Sequence, residues 1–344
     1  MSRTKRPINI RDVARAAGVS TMTVSRVINN PAVVAPLTRE RVQQVIDELK
    51  YTPSSVARSL RSSRTYTIGL ITVDFADHFF ANLSVGAELE ARRRGFRVML
   101  SSTERNPNNE REFVTLLAEQ RVDGILLARD AIQVPRDPLT DPLPVDVPIV
   151  STGFFRPELA LCSVDIDNVD GGRLATDHLL DHGHRRIAIL TGPVDHKAAV
   201  DRLEGYQLAL SRAGIKLDPH LIVHAHGRQP DDGYMAMNEL IQREVNFSAV
   251  FVYSDALAIG AMRSLRRAGL RIPDDVSIVA YDNIDFAAFT DPPLTTVQQP
   301  IQELGALATR ILIEYIETGE RPVPITILRC FLVERGSVKS RPPE

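Results

Sequence analysis

Two sets of residues in this chain have types and spacings suited to recognition chemistry. The first lies in Ile10–Asn30, IRDVARAAGVSTMTVSRVINN. Thr21, Met22, Ser25 and Arg26 are expected to point outward from the start of the second of two short helices. A helix-turn-helix lays that end of its second helix against base edges in the major groove. Thr21 can hydrogen-bond a base edge or touch a thymine methyl, whereas Met22 offers apolar contact only. Arg26 suits a bidentate grip on guanine or a phosphate contact equally. Asn29, Arg3, Lys5 and Arg6 suit phosphates, which position a protein without reading sequence. The second set follows strand-like runs, where doubly wound sheets bind ligands. It comprises Asp77 and Phe79, beside Asp74 and His78, then Arg129, Phe154 and Asp282. Asp282 can accept two hydroxyl protons or cap the segment after it.

Other chemistries are poorly served. There is no Gly-x-Gly-x-x-Gly, no phosphate-binding P-loop and no Gly-x-Ser-x-Gly elbow, so no enzyme and no cofactor are expected. His178, His182 and His184, and likewise His220, His224 and His226, have spacings compatible with a metal. Neither trio has a nearby cysteine or a complete ligand set, so both are read as structural or surface residues, and no metal is expected. Cys162 and Cys330 are the only cysteines, too few for a disulfide framework. No signal peptide or membrane-length apolar run is evident, and a cytoplasmic location is expected.

The elements that must carry these residues are legible. Asn9 can cap a first helix, with Asp12 reaching back. Val13, Ala14 and Ala17 share its inner face, and Gly18 permits the turn. Ser20 caps the second helix, which turns Val24, Val27 and Ile28 inward. A third helix is expected from an N-cap at Thr38, with Val42, Val45, Ile46 and Leu49 on one face, ending by Pro53. Residues 54–60 form a helix-compatible stretch too short to stand alone. Residues 1–64 hold 12 Lys/Arg against 4 Asp/Glu, whereas the remaining 280 hold 29 against 39. A basic head on an acidic body assigns any polyanion to the head.

From Tyr66 onward strands and helices alternate. Strands are expected at 68–73, 96–101, 124–127, 148–151, 186–191, 249–253 and 276–281. Helices are expected near 80–94, 110–120, 169–181, 200–213, 234–243 and 256–268, with an irregular loop at 129–147. Repeated βα units imply parallel sheets covered on both faces. About 270 residues of this pattern exceed one sheet, so two doubly wound lobes are expected in an α/β body.

The ordered motifs resemble the lactose/purine repressor (LacI/GalR) family over essentially the whole chain. They are Asp12-Val13-Ala14, Gly18-Val19-Ser20, Thr23-Val24-Ser25-Arg26-Val27, Thr38-Arg39-Glu40-Arg41-Val42, Tyr51-x-Pro53 and Val56-Ala57-Arg58-Ser59-Leu60. The body adds Arg121-Val122-Asp123-Gly124-Ile125, Gly183-His184-Arg185-Arg186-Ile187-Ala188, Arg202-x-x-Gly205-Tyr206, Tyr281-Asp282-Asn283 and Pro293-Leu294-Thr295-Thr296-Val297.

The resemblance implies a three-helix helix-turn-helix head over 1–53 and a hinge helix and linker over 54–65. A periplasmic-binding-protein-like body follows over 66–338, with a tail over 339–344. Its lobes would be 66–162 with 296–324 and 163–295 with 325–338, joined by crossovers near Ser163, Thr295 and Pro324. In the hinge, Ser55, Ala57 and Leu60 would meet DNA, Leu60 as a minor-groove wedge. Arg202 matches an arginine that grips effector oxygens, and Phe79 stands where an aromatic ring meets effector or packs in the core. Ser254 replaces a common asparagine, and Asp77-His78 replaces a common Asn-Pro. Asp255 is expected to cap a helix. The implied partners are double-stranded operator DNA, a second copy of the chain and a small effector. A carbohydrate-like effector is favoured, with Arg129, Arg202 and Arg228 better suited to a sugar acid or phosphate. The expected function is a ligand-responsive transcription regulator, a repressor.

Overall fold

The computed structural model describes residues 8–51, 64–106, 108–129, 139, 146–153 and 155–342. The chain forms two compact units, Met1–Thr65 and Tyr66–Glu344.

The head contains α1 (Ile10–Ala17), α2 (Thr21–Asn29) and α3 (Pro36–Leu49). Asn9 Oδ1 accepts from the amides of Arg11 and Asp12, and Asp12 Oδ2 accepts from the Asn9 amide, completing a capping box. Gly18 ends α1 at φ 63°, a conformation that costs a residue with a Cβ. Ser20 Oγ accepts from the Thr23 amide and starts α2. Val13, Ala14, Ala17, Val24, Val27 and Val42 form the core where the three helices meet. Thr38 does not cap α3: the helix starts at Pro36, after Ala35. Proline at the first helical position lacks only an amide that has no partner there, and its φ is already helical. The linker 54–60, with Ser55, Ala57 and Leu60, lies outside the described residues.

The body has two six-stranded sheets. Its strands are β1 (Thr67–Thr72), β2 (Arg97–Ser102), β3 (Gly124–Ala128), β4 (Ile149–Thr152), β5 (Cys162–Ile166), β6 (Ile187–Thr191), β7 (Ile222–His224), β8 (Ala249–Val252), β9 (Ser277–Asp282), β10 (Thr295–Gln298), β11 (Ile325–Leu328) and β12 (Phe331–Val333). The first sheet runs β11-β5-β4-β3-β1-β2 and the second β12-β10-β9-β8-β6-β7. Within the described residues only the β10–β12 pairing is antiparallel. The helices are α4 (His78–Arg93), α5 (Asn108–Glu119), α6 (Asn168–Asp181), α7 (Lys197–Arg212), α8 (Pro230–Gln242), α9 (Asp255–Arg267) and α10 (Ile301–Thr318). The first lobe uses α4, α5 and α10, and the second uses α6 to α9.

The crossovers fall later than the sequence suggests. Because β5 pairs with β4 and β11, the first crossover follows Ile166 rather than Ser163. Because β10 pairs with β9, the second lies at Gln299–Pro300, and the third, between β11 and β12, lies at Arg329–Cys330. β5 and β10 are short and buried in their sheets, and such strands carry no period of their own. β5, β7, β10, β11, β12 and α10 are absent from the expected elements. Most of the irregular stretch 129–147 lies outside the described residues. The tail is tied to the second lobe: Lys339 donates its amide to Ser277 Oγ, and Arg341 donates its amide to the His182 carbonyl.

Candidate functional site

Three of the expected DNA-reading residues stand at the surface of the head: Thr21, Arg26 and Met22, the last 63% exposed. Ser25 departs from expectation. It is buried at 7% exposure, because in so small a bundle the inner stripe of α2 takes in Val24, Ser25 and Val27 together. Asn29 ends α2, and its side chain lies outside the described residues.

In the body a cavity of about 240 Å³ opens between the lobes. Of the expected effector residues it is lined by Asp77, Phe79, Arg129, Arg202, Ser254 and Asp282. Phe154 lies outside the described residues.

Arg202 reaches the cavity lining because two helices touch. A Cβ on Gly172 would lie 2.4 Å from the Arg202 carbonyl oxygen, and one on Gly205 would lie 2.1 Å from that of Val169. The glycines let α6 and α7 meet backbone to backbone, and Tyr206 anchors α7 by donating to the Ile187 carbonyl at 2.8 Å. The guanidinium is almost fully buried over the Tyr281 ring, 3.7 Å from its centroid, and 4.5 Å from that of Tyr253. Its Nε donates to Asn168 Oδ1 at 3.0 Å and its Nη1 to the Tyr253 carbonyl at 2.6 Å. Asp282 Oδ1 stands 3.8 Å away. Packing, one side-chain bond and one backbone bond therefore fix the fork before any ligand arrives.

Asp282 ends β9 at φ 109°, and Asn283 follows at φ 56°. Such angles persist in non-glycine residues where surrounding bonds over-determine them. Gln299 donates to Asp282 Oδ1 at 2.6 Å, and Arg335 to Asn283 Oδ1 at 2.6 Å. Burial raises the Asp282 carboxyl to about 6, with Arg202 opposing.

Asp255 does not cap α9. Ser254 does, accepting from the Leu257 amide at 3.3 Å. Asp255 is wholly buried and accepts from Thr296 Oγ1 at 2.6 Å and from the Ile284 amide at 2.8 Å, tying β10 to the turn after β9. Burial first, then the charge of Asp282, raises its carboxyl to about 8. An unfolded aspartate titrates near about 3.9. The folded chain thus holds the extra proton from about 4 to about 8, and this group's contribution to stability falls as pH rises through that interval. Asp255→Asn is expected to flatten that slope. Urea unfolding at several pH values between 5 and 8 should show wild type losing at least about 1 kcal/mol more than the variant. Equal slopes would remove Asp255 from the account.

Arg129 is buried against Glu110, with contacts of 3.1 Å from Nε and 2.9 Å from Nη2, so its guanidinium is committed to the first lobe. Asp77 caps α4 through Oδ1, which accepts from the Phe79 amide at 3.0 Å. Phe79 is half-buried, edge-on to the buried Phe80, and lines the cavity. Asp165, Asn168, Lys197, Arg228 and Gln299 also line the cavity. Of these only Arg228 is among the residues expected from the sequence. Lys197 follows β6 and meets the strand-end rule, whereas Asp165 needed β5 to be seen. Of the histidines of 178–184, His184 is tied into the fold: its Nδ1 pairs with Ser248 Oγ at 2.9 Å and its Nε2 with the Lys339 carbonyl at 3.1 Å.

A helix-turn-helix head joined to a two-lobed body with a cleft beyond its strand ends defines a ligand-responsive DNA-binding regulator. Residues 9–54 match the family model for bacterial regulatory proteins, lacI family, and residues 176–338 match a periplasmic binding protein-like domain. The chain is 39% identical over 333 residues to the HTH-type transcriptional repressor PurR of Vibrio atlanticus (strain LGP32), covering 96% of this chain and 98% of the relative. It is 40% identical over 350 residues to the HTH-type transcriptional regulator CelR of Thermobifida fusca, covering 98% and 100%. A solved CelR–cellobiose complex is similar with a TM-score of 0.72 at 37% identity, covering 96% and 100%. A lac repressor dimer bound to operator and the anti-inducer ONPF is similar with a TM-score of 0.85 at 29% identity, covering 97% and 100%. The chain belongs to the LacI family. It is a DNA-binding transcriptional regulator, not an enzyme, with operator DNA and a small-molecule effector as its partners.

Proposed function

We propose that the effector is a carbohydrate held between the lobes and that its binding changes operator affinity through linkage. The observation that carries this reading is the Arg202 fork 3.8 Å from the Asp282 carboxylate in the lining of the cleft, which the Phe79 ring also lines. Adjacent hydroxyls can donate to the carboxylate and accept from the guanidinium at once. A planar base is the alternative, but Tyr253 and Tyr281 each have a ring face covered by Arg202. The CelR–cellobiose complex supports a carbohydrate in this fold.

The residues proposed to meet DNA are Thr21, Met22, Arg26 and Asn29, with Ser55, Ala57 and Leu60 of the linker. Ser25 supports the head from within. A homodimer on a pseudo-palindromic operator in the cytoplasm completes the reading. Exposed apolar side chains suited to a second copy are Val85, Leu89, Leu100, Phe286 and Phe289. Thermal shift with cellobiose, glucose and adenine tests the effector class. A sugar at a hundredfold excess over Kd should raise the melting temperature by roughly 5 °C or more. A shift with adenine and with neither sugar would overturn the reading.

A further inference from the structure

Two ion pairs cross the cleft from one lobe to the other. Asp77 Oδ2, at the start of α4 in the first lobe, lies 3.3 Å from Arg228 Nη2 in the loop before α8 of the second. Asp165 Oδ2, on β5 of the first lobe, lies 3.7 Å from Lys197 Nζ, at the first residue of α7. Lys197 also bonds Asp201 one turn along its helix. Arg105, which is held by Asp74 at 2.9 Å, reaches Asp77 at 3.7 Å. The side chains of Asp77 and Arg228 are only 16% and 13% exposed. Burial raises the Asp165 carboxyl, against the pull of Lys197. The remaining cations of the lining are committed in the same way, Arg129 to Glu110 and Arg202 beside Asp282.

We propose that Asp77–Arg228 and Asp165–Lys197 set the charge specificity of the effector site, admitting a neutral polyhydroxyl ligand and turning away sugar acids and sugar phosphates. This rests on the carbohydrate reading and narrows it. An anionic group entering the cleft meets cations already neutralised, with a carboxylate beside each. Like charges at such distances, partly shielded from water, repel strongly. A hydroxyl meets neither obstacle, because it donates to the carboxylate and accepts from the cation, so it inserts without leaving either unpaired. Because each pair joins the lobes, the same ligand oxygens would bridge them.

The test uses the full chain with Asp77→Asn and Asp165→Asn. Asparagine keeps the shape of each side chain, and at position 77 it also serves as an N-cap. Calorimetric titration would compare cellobiose and glucose with gluconate, glucose 6-phosphate and inorganic phosphate at fixed ionic strength. Wild type should favour the neutral sugars. Each variant should raise the ratio of anionic to neutral affinity by at least about tenfold, the scale of coupling between close charge pairs, and added salt should reduce that gain. Wild type binding glucose 6-phosphate as tightly as a neutral sugar would overturn the proposal. So would variants with wild-type melting temperatures and no gain for any anion. Variants that gain phosphate, where wild type takes up no sugar at all, would support the charge filter and sink the carbohydrate reading alone.

Discussion

Arg202→Ala is expected to abolish the effector response and to weaken the body itself. The guanidinium fills the space over Tyr281 and beside Tyr253 and supplies donors to Asn168 Oδ1 and the Tyr253 carbonyl. Truncation leaves a void and two buried acceptors without that donor. It also leaves Asp282 without the nearer of the two cations, Arg202 and Arg228, that oppose its protonation. Asp282 can take up a proton, which limits the cost, so a loss of about 2–4 kcal/mol of stability is expected. Effector binding should weaken by a further ~1.5–3 kcal/mol, the scale of hydrogen bonds to a charged group. Arg202→Lys should recover little of either, because a point charge neither forks nor stacks. Chemical unfolding and calorimetry on the same preparations separate the two effects. A variant with wild-type stability would mean that the stacked arginine contributes nothing to the second lobe.

This outcome differs from what the sequence suggests for Arg202. Its place in Arg202-x-x-Gly205-Tyr206 marks it as a ligand contact. Its structural load arises from Tyr253, Tyr281 and Asn168, which come from three other segments. Ser25 and Asp255 show the same limit. A residue's own position on a helix is legible, but what the neighbouring element covers is not. The head was legible in detail because its signals are local: the Asn9–Asp12 capping box, Gly18 in the turn and the Ser20 cap lie within a few residues of their partners. The strands β1, β3, β6, β8 and β9 announced themselves as apolar runs. Cys162–Ile166 mixes serine and aspartate among its apolar residues and Ile222–His224 is only three residues long, so neither does so; with β5 unseen the first crossover shifts and Asp165 goes unmarked. In α10 the residues Ile301, Leu304, Ala308 and Leu312 do repeat at helical spacing, so that segment carries the same mark as the helices that were expected.

Removing residues 1–65 is expected to eliminate operator binding and leave effector binding intact. The body from Tyr66 is a compact unit with both sheets and their cores inside it. The basic excess lies before it: residues 1–64 carry a net charge of +8 and the rest of the chain −10. The truncated chain should therefore lose at least about a thousandfold in operator affinity, falling to or below nonspecific binding. Its melting temperature should still rise with the sugar that stabilises the full chain. Retained operator affinity would remove the DNA-reading role from the head. A body that fails to fold would show that the two units are not independent.

The most direct measurement is a titration of effector against a complex of the full chain with a duplex selected from a random pool, followed by fluorescence anisotropy. A neutral sugar that binds the cleft should shift the operator midpoint by at least about fivefold, the lower end of common coupling energies. Saturating operator should shift the sugar's own midpoint by the same factor. Arg202→Ala should show neither shift. An operator affinity unchanged by a sugar shown calorimetrically to occupy the cleft would contradict the account.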